Sequence, residues 1–194
     1  MKILKLFPTL ILGEILSNIS QEETSKYINY CKNLKNVDNQ INGEFSENQR
    51  VLDNPLFSLL SSTILDYSKK LLNSYNHVFE DLQISSSWVN ILNKSEEIEM
   101  HSHPNSYISG VYYLTEGSSI SFKSPLNEKW LFREDFTLFE DKGFKIKPQQ
   151  NFLLLFPSFL QHKVVPCNSN GRISIAFNII PKGEFGPYTA KLYL

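Results

Sequence analysis

Two kinds of apolar spacing divide this chain. Up to about residue 80 the apolar positions recur every three or four residues, the period of an amphipathic helix. Ser20-Gln21-Glu22-Glu23 has the form of a capping box, in which hydroxyl and carboxylate satisfy the first helical amides reciprocally. Behind it Tyr27, Ile28, Cys31 and Leu34 fall at helical spacing. Asn54-Pro55 predicts a second helix, with asparagine as cap and proline at the first helical position. Leu56, Leu60, Ile64, Tyr67 and Leu71 form its expected buried stripe. Between the two helices, residues 36–50 are polar and read as a loop. Ahead of them, Met1 to Leu16 sets Lys2 and Lys5 before an apolar stretch, but Pro8 interrupts it and Glu14 ends it. An opening strand and a turn into the helix fit better than a leader peptide.

From about Gln83 the period changes to that of strands. Residues 88–92, 108–114, 119–122, 144–146, 152–156, 163–165 and 172–180 all read as short strands. Many short strands preceded by helices predict a mainly β fold, a double-stranded β-helix (jelly roll) buttressed by two or three helices. The length of 194 residues fits a single domain spanning 1–194. Within it, residues 1–80 supply a strand and the helical buttress, 83–180 the β core, and 181–194 a C-terminal extension. The stretch from Pro125 to Asp141, with Trp130, Phe132, Phe136 and Phe139, reads either as a lid or as a long surface connection.

Charge removes whole classes of partner. Nineteen basic and twenty acidic side chains leave a formal net charge of -1, so no electrostatic footprint for nucleic acid or an acidic membrane exists. No apolar segment approaches the length needed to span a bilayer. Cys31 and Cys167 form no C-x-x-C and read as free thiols of a reducing compartment, which points to a cytoplasmic protein. Homodimer formation is left open.

The chemistry-bearing residues are few. His101-Ser102-His103-Pro104 puts two imidazoles at i and i+2, which share a face wherever the chain is extended. His162 ends the run Phe156-Pro157-Ser158-Phe159-Leu160-Gln161-His162, and Arg172-Ile173-Ser174 begins ten residues later. An H-x-H pair alone is a weak metal signal; a third histidine followed by a suitably spaced arginine strengthens it. Asn168-Ser169-Asn170-Gly171 carries turn chemistry and predicts a hairpin. Centred on residue 168 or 169, that hairpin places His162 and Val164 on the face of Arg172 and Ser174, with Ile173, Ile175 and Phe177 turned to the other layer. Imidazole suits iron, zinc, copper and nickel alike. Arg172 narrows the choice, because a guanidinium offers a two-pronged fork to a carboxylate. Ser174 and Tyr113 can add hydrogen bonds to the same carboxylate. A diacid that chelates a metal at one end and meets Arg172 at the other uses every group named. The alternative puts Arg172 on the outer face in a surface ion pair.

Taken together, Ser87-Trp88-Val89-Asn90, the H-S-H-P run, Ser109-Gly110-Val111-Tyr112-Tyr113-Leu114, Phe156-Pro157-Ser158 and Arg172-Ile173-Ser174-Ile175-Ala176-Phe177-Asn178 resemble the 2-oxoglutarate/Fe(II)-dependent dioxygenases. They are most similar to an uncharacterised branch near the prolyl-hydroxylase-like oxygenases, over about half the chain. The resemblance implies a metal inside the mouth of the β-helix, with His101, His103 and His162 as iron ligands. It implies Arg172 and Ser174 as the R-x-S pair holding 2-oxoglutarate, Tyr113 beside them, and Trp88 and Asn90 on the substrate side. The catalytic set is then His101, His103, His162 and Arg172. The implied cofactors are Fe(II), 2-oxoglutarate as co-substrate and O2. The implied reaction hydroxylates an unactivated C–H of a small molecule or a protein side chain and releases succinate and CO2. One departure stands out: the family's usual acidic ligand position is His103 here. Either three neutral imidazoles hold the iron, or His103 helps to bind substrate and another group completes the set.

Two rivals remain at this level. A cupin shares the barrel, the H-x-H and the proline-to-histidine spacing of Pro157 to His162. It would need a glutamate four or five residues after His103 and a glycine where Phe159 stands, and has no use for Arg172-x-Ser174. A non-enzymatic jelly-roll binding module is the other. A cysteine nucleophile is disfavoured, since neither thiol lies in an activating motif.

Overall fold

In the computed structural model, which describes residues 8–38, 43–125 and 144–194, two antiparallel sheets face one another. Strands β1 (Leu12–Ile15), β2 (Asn36–Asp38), β3 (Glu44–Ser46), β4 (Phe79–Leu92), β6 (Ile108–Tyr113), β9 (Phe152–Pro157), β11 (Arg172–Phe185) and β12 (Leu192–Tyr193) build the larger sheet. Its order is β1-β9-β6-β11-β4-β3-β2, with β12 paired back onto β11. Strands β5 (Ile98–His101), β7 (Ile120–Phe122), β8 (Phe144–Ile146) and β10 (His162–Val164) build the smaller one, in the order β5-β10-β7-β8. This is the expected jelly roll. Helices α1 (Gln21–Lys32) and α2 (Ser58–Ser74) cover the outer face of the larger sheet.

Local chemistry explains where the helices start. The Ser20 hydroxyl accepts from the Glu23 N–H (3.2 Å), and the Ser20 N–H donates to the Glu23 carboxylate (2.8 Å), so the capping box forms as read. Asn54 also caps as expected, accepting from the Leu56 N–H at 2.9 Å. Pro55–Phe57 forms a turn of 3-10 helix, however, and α2 begins only at Ser58. Leu60, Ile64 and Leu71 are buried by α2, while Leu56 and Tyr67 pack partly exposed at the margin.

The central strand β11 sorts its side chains by parity. Ile173, Ile175 and Phe177 enter the core beneath the helices, beside Tyr112, Leu153 and Leu155. Each such fully buried side chain stabilises the fold by about 1.5–3 kcal/mol. Arg172, Ser174 and Ala176 face the other sheet and line the cup between the two. A one-residue slip would exchange these sets and put the arginine into the hydrocarbon core. The long pairing with β4, from Arg172↔Leu92 to Lys182↔Asp81, and with β6, from Ser174↔Tyr113 to Ile179↔Ile108, holds the register.

Two expectations needed correction. The polar segment 36–50 contains a hairpin, β2–β3, that adds to the edge of β4 through Glu44↔Ile91 and Phe45↔Asn90. Edge pairing overrides its polar composition: buried Ser46 accepts from the Val89 N–H at 3.0 Å. The second correction concerns residues 162–174. They form no hairpin, because β10 pairs with β5 and β7 in the smaller sheet whereas β11 pairs with β4, β6 and β12 in the larger. Gly171 does take a positive φ of 77°, but the turn crosses between sheets. Asn170 accepts from the Lys94 N–H, and Asn93 from the Gly171 N–H, tying the crossing to the end of β4. The stretch read as a lid or connection, with Trp130, Phe132, Phe136 and Phe139, falls almost wholly outside the described residues, as do the first seven positions.

Candidate metal centre and anion pocket

His101 ends β5, His162 opens β10, and the two are cross-strand partners. Their rings therefore meet, with centroids 4.3 Å apart. His103 lies two residues past His101 on the turn that leaves β5. Its backbone N–H donates to the Ser158 carbonyl at 3.0 Å, which draws the turn against the segment carrying His162. The rings of His103 and His162 are parallel within 4°, and their Nε2 atoms are 3.3 Å apart. One ligand atom from each of the three histidines falls within a 4.8 Å span. Two imidazoles bound at right angles to one metal at the usual distance of about 2.1 Å would bring their nitrogens to about 3.0 Å. The triad fits a single ion. Among the described residues it contains no carboxylate.

The backbone prepares the rings for that task. His101 Nδ1 lies 2.7 Å from the Glu99 carbonyl, and His162 Nδ1 lies 2.9 Å from the Leu160 carbonyl. A carbonyl only accepts, so each Nδ1 carries the proton and each Nε2 keeps its lone pair for a metal. Burial pushes the His162 pKa down to about 3, against the Leu160 hydrogen bond and with help from His101 and His103. Burial, and secondarily His101, lowers that of His103 to about 4. Both rings are neutral at physiological pH, as a ligand must be.

The other end of the cup is built for an anion. Arg172 is 2% exposed. Its Nη1 donates to Ser174 Oγ at 3.2 Å, and its guanidinium carbon lies 5.2 Å from the centre of the Tyr113 ring. Arg172 Nε and the Tyr113 hydroxyl are buried without a hydrogen-bond partner. Burial raises the Tyr113 pKa, with the nearby guanidinium opposing, so the phenol stays protonated and available as a donor. Three imidazoles, Arg172, Ser174 and Tyr113 line one cavity of about 90 Å³, and no Asp or Glu is among its lining residues. A buried cation with an unused N–H and no carboxylate is costly. A carboxylate-bearing ligand relieves that cost, so the residues present fit both a metal and a diacid.

Trp88 and Asn90 also line this cavity, from β4. The Trp88 ring stacks on His103, centroids 5.7 Å apart and planes 29° apart. All the residues singled out from the sequence therefore converge on one site, although His162 and Arg172 arrive from different sheets. Ser158 was read only as part of a motif. It is 2% exposed, and its hydroxyl donates to Ser106 (3.0 Å) and lies 2.8 Å from Ser109, which in turn donates to Asn178 at 2.8 Å. This hydroxyl cluster pins the His103 turn, and no local pattern in the sequence announces it. A larger cavity of about 200 Å³ opens beside α2, lined by Leu72, Tyr75, His77 and Tyr107 among others. Its Tyr107 hydroxyl is engaged by His77 at 2.7 Å, and it holds none of the metal-binding cluster.

Comparison with known proteins agrees with this geometry. The family model described as "Putative 2OG-Fe(II) oxygenase" matches residues 86–178, just under half of the chain and the part that carries every site residue. Among solved structures, HygX from Streptomyces hygroscopicus with nickel and 2-oxoglutarate bound superposes with a TM-score of 0.62 at 15% identity, covering 89% of this chain and 83% of that one. A viral collagen prolyl hydroxylase from Paramecium Bursaria Chlorella virus-1, as its 2-oxoglutarate complex, gives 0.57 at 16%, covering 87% and 94%. A Pseudomonas putida prolyl-4-hydroxylase gives 0.59 at 14%, covering 90% and 94%. No curated protein sequence matches the chain. Residues 86–178 are thus similar to the 2-oxoglutarate/Fe(II)-dependent oxygenases, and the chain shares the fold of solved oxygenases that include two prolyl hydroxylases.

Proposed function

We propose that this oxygenase binds Fe(II) through His101, His103 and His162, and anchors 2-oxoglutarate through Arg172 and Ser174 with Tyr113 beside them. Its reaction is then hydroxylation of a substrate C–H bond. The observation that carries the reading is the buried Arg172, with an unused Nε, in the same small cavity as three converging imidazoles. A cupin-type metal site gives no reason to bury that guanidinium.

Each residue has a definable task. The Nδ1–carbonyl contacts of His101 and His162 hold their rings with Nε2 turned to the ion. Arg172 and Ser174 bind the far carboxylate and so orient the co-substrate, while the Tyr113 hydroxyl donates to the same group. Trp88 and Asn90 line the substrate side. Bound iron and 2-oxoglutarate supply the oxidative chemistry, in which O2 is consumed and succinate and CO2 are released. Val111, Ile120 and Phe156 give the cup an apolar wall. The substrate class is a small molecule or a protein side chain. Among the described residues no helix is long and apolar enough to cross a membrane, and both cysteines are free and buried; a cytoplasmic setting is in keeping with the free thiols.

The test is an anaerobic titration with Fe(II) and 2-oxoglutarate, followed by succinate detection after admission of O2. Metal-dependent 2-oxoglutarate binding and succinate formation are expected. Protein that binds no divalent metal would falsify the assignment of the three histidines.

A further inference from the structure

Gly117 lies in the connection between β6 and β7, and its backbone makes no demand for glycine. Among the described residues the glycines with positive φ are Gly43, Gly171, Gly183 and Gly186, and Gly117 is not one of them. Its requirement is space. A Cβ placed there would stand 2.9 Å from Arg172 Cδ, 2.9 Å from Cγ and 3.2 Å from Cβ. Ordinary carbon–carbon contact is about 3.5–4.0 Å. Arg172 is buried, so its stem has no solvent into which to retreat.

The connection cannot back away either, because it is tied down on both sides of Gly117. Leu114 N–H and Thr115 N–H donate to the Ile173 carbonyl at 3.0 and 3.3 Å, and the Ile173 N–H donates to the Thr115 hydroxyl at 2.8 Å. Beyond Gly117, Ser118 Oγ donates to the Pro166 carbonyl at 3.3 Å, and the Val165 N–H donates to the Ser119 carbonyl at 3.0 Å. Residues 114–119 thus form a strap from β11 of the larger sheet to the chain leaving β10 of the smaller one. Gly117 presses the middle of that strap onto the arginine stem.

We propose that Gly117 is a positioning residue for the co-substrate: it lets the strap lie directly on Arg172 and so sets where the guanidinium meets the far carboxylate of a 2-oxo diacid. The proposal rests on the reading of Arg172 as the carboxylate anchor. Packed between strap and Tyr113, with Nη1 on Ser174, the side chain is ordered before the ligand arrives. Little rotamer entropy is then lost on binding.

Calorimetry on nickel(II)-loaded protein tests this, using 2-oxoglutarate and pyruvate, which has the chelating 2-oxo acid but no second carboxylate. Gly117→Ala should weaken 2-oxoglutarate about tenfold or more, the scale of a small misplacement in a binding geometry. It should leave nickel and pyruvate affinities within about twofold of wild type, a margin well inside the tenfold step of about 1.4 kcal/mol. Parallel losses for 2-oxoglutarate and pyruvate, or an unchanged 2-oxoglutarate affinity, would overturn the proposal. A thermal-stability cycle needs no ligand: the Tm loss caused by Gly117→Ala should shrink when Arg172→Ala removes the stem. If Gly117→Ala alone does not fold, the double variant should fold. Equal losses in both backgrounds, or failure of both to fold, would sink the steric claim. Failure of wild-type protein to bind 2-oxoglutarate at all would instead overturn the anchor reading, and the cycle distinguishes the two.

Discussion

The two ends of the cup are built in opposite ways. Arg172 and Ser174 open β11 and Tyr113 closes β6, central strands of the larger sheet: Arg172 pairs with Leu92 of β4 and Ser174 with Tyr113, at the head of ladders that continue unbroken for several residues. The histidines stand at strand ends and on a turn of the smaller sheet, where β5 and β10 share few pairs and an irregularity falls between His162 and Val164. The anion end gains its precision from a long hydrogen-bond ladder. The metal end gains it from backbone carbonyls on Nδ1 and from the hydroxyl cluster at Ser158. Long regular pairing positions a group by register alone, whereas a short edge needs added ties for each ligand.

The contrast can be broken from the metal end first. His162→Ala removes the most buried of the three imidazoles and should reduce bound Fe(II) to background, an affinity loss beyond about 100-fold, the upper end of what even supporting residues cost. Metal analysis of the purified variant decides, and undiminished occupancy would contradict the site. At the other end, Arg172→Met should weaken 2-oxoglutarate about 100-fold, within the range for truncating one partner of a buried charged pair. Its metal content should stay unchanged. The same variant should raise the Tm of the ligand-free protein, since it replaces an unsatisfied buried cation with an apolar side chain of similar reach. A fall in Tm would mean that Arg172 already has its compensation within the protein.

Smaller effects sharpen the picture. Ser158→Ala should weaken Fe(II) binding about tenfold, the scale of losing a supporting contact behind a metal ligand. Ser106 still donates to the Ile108 carbonyl and Ser109 to Asn178, so no buried hydroxyl proton is stranded and the Tm should barely change. Binding identical to wild type would remove the Ser158 hydroxyl from any role in holding His103 and leave only its backbone carbonyl. Acid gives the mildest test. The folded pKa values of His103 and His162, about 4 and about 3, lie below the ordinary 6.5. The unfolded chain therefore takes up protons first as pH falls, so stability is full above 6.5 and drains away toward those lower values. Metal-free protein should lose about 1 kcal/mol between pH 7 and pH 6, read by denaturant midpoints. The loss should shrink in a His103→Asn variant.

Much of the site was readable because parity survives in sequence. The alternation Arg172, Ser174, Ala176 against Ile173, Ile175, Phe177 separates cup from core without any knowledge of partners. The helix caps at Ser20 and Asn54 were equally plain, being local contacts within a few residues. The hairpin at 168–171 was misread for the complementary reason. Turn chemistry reports that the chain bends, not which sheet receives it, and here the bend delivers β11 to the opposite layer. His162 and Arg172 still share a cavity, but by facing one another across it. Nor could the loop-like composition of 36–50 reveal a hairpin whose stability comes from the edge of β4.

By itself, the sequence determined the set of chemical groups, the strand periodicity that keeps Arg172 out of the hydrocarbon core, and the resemblance of residues 86–178 to the 2-oxoglutarate/Fe(II)-dependent oxygenases. Only the tertiary structure decided that three imidazoles from β5, its following turn and β10 meet around one point, and that Gly117 and Ser158 hold the two ends of the cup. The physical reason is range: periodicity and capping act between residues a few positions apart, while these contacts join segments about sixty positions apart through the packing of one sheet against another.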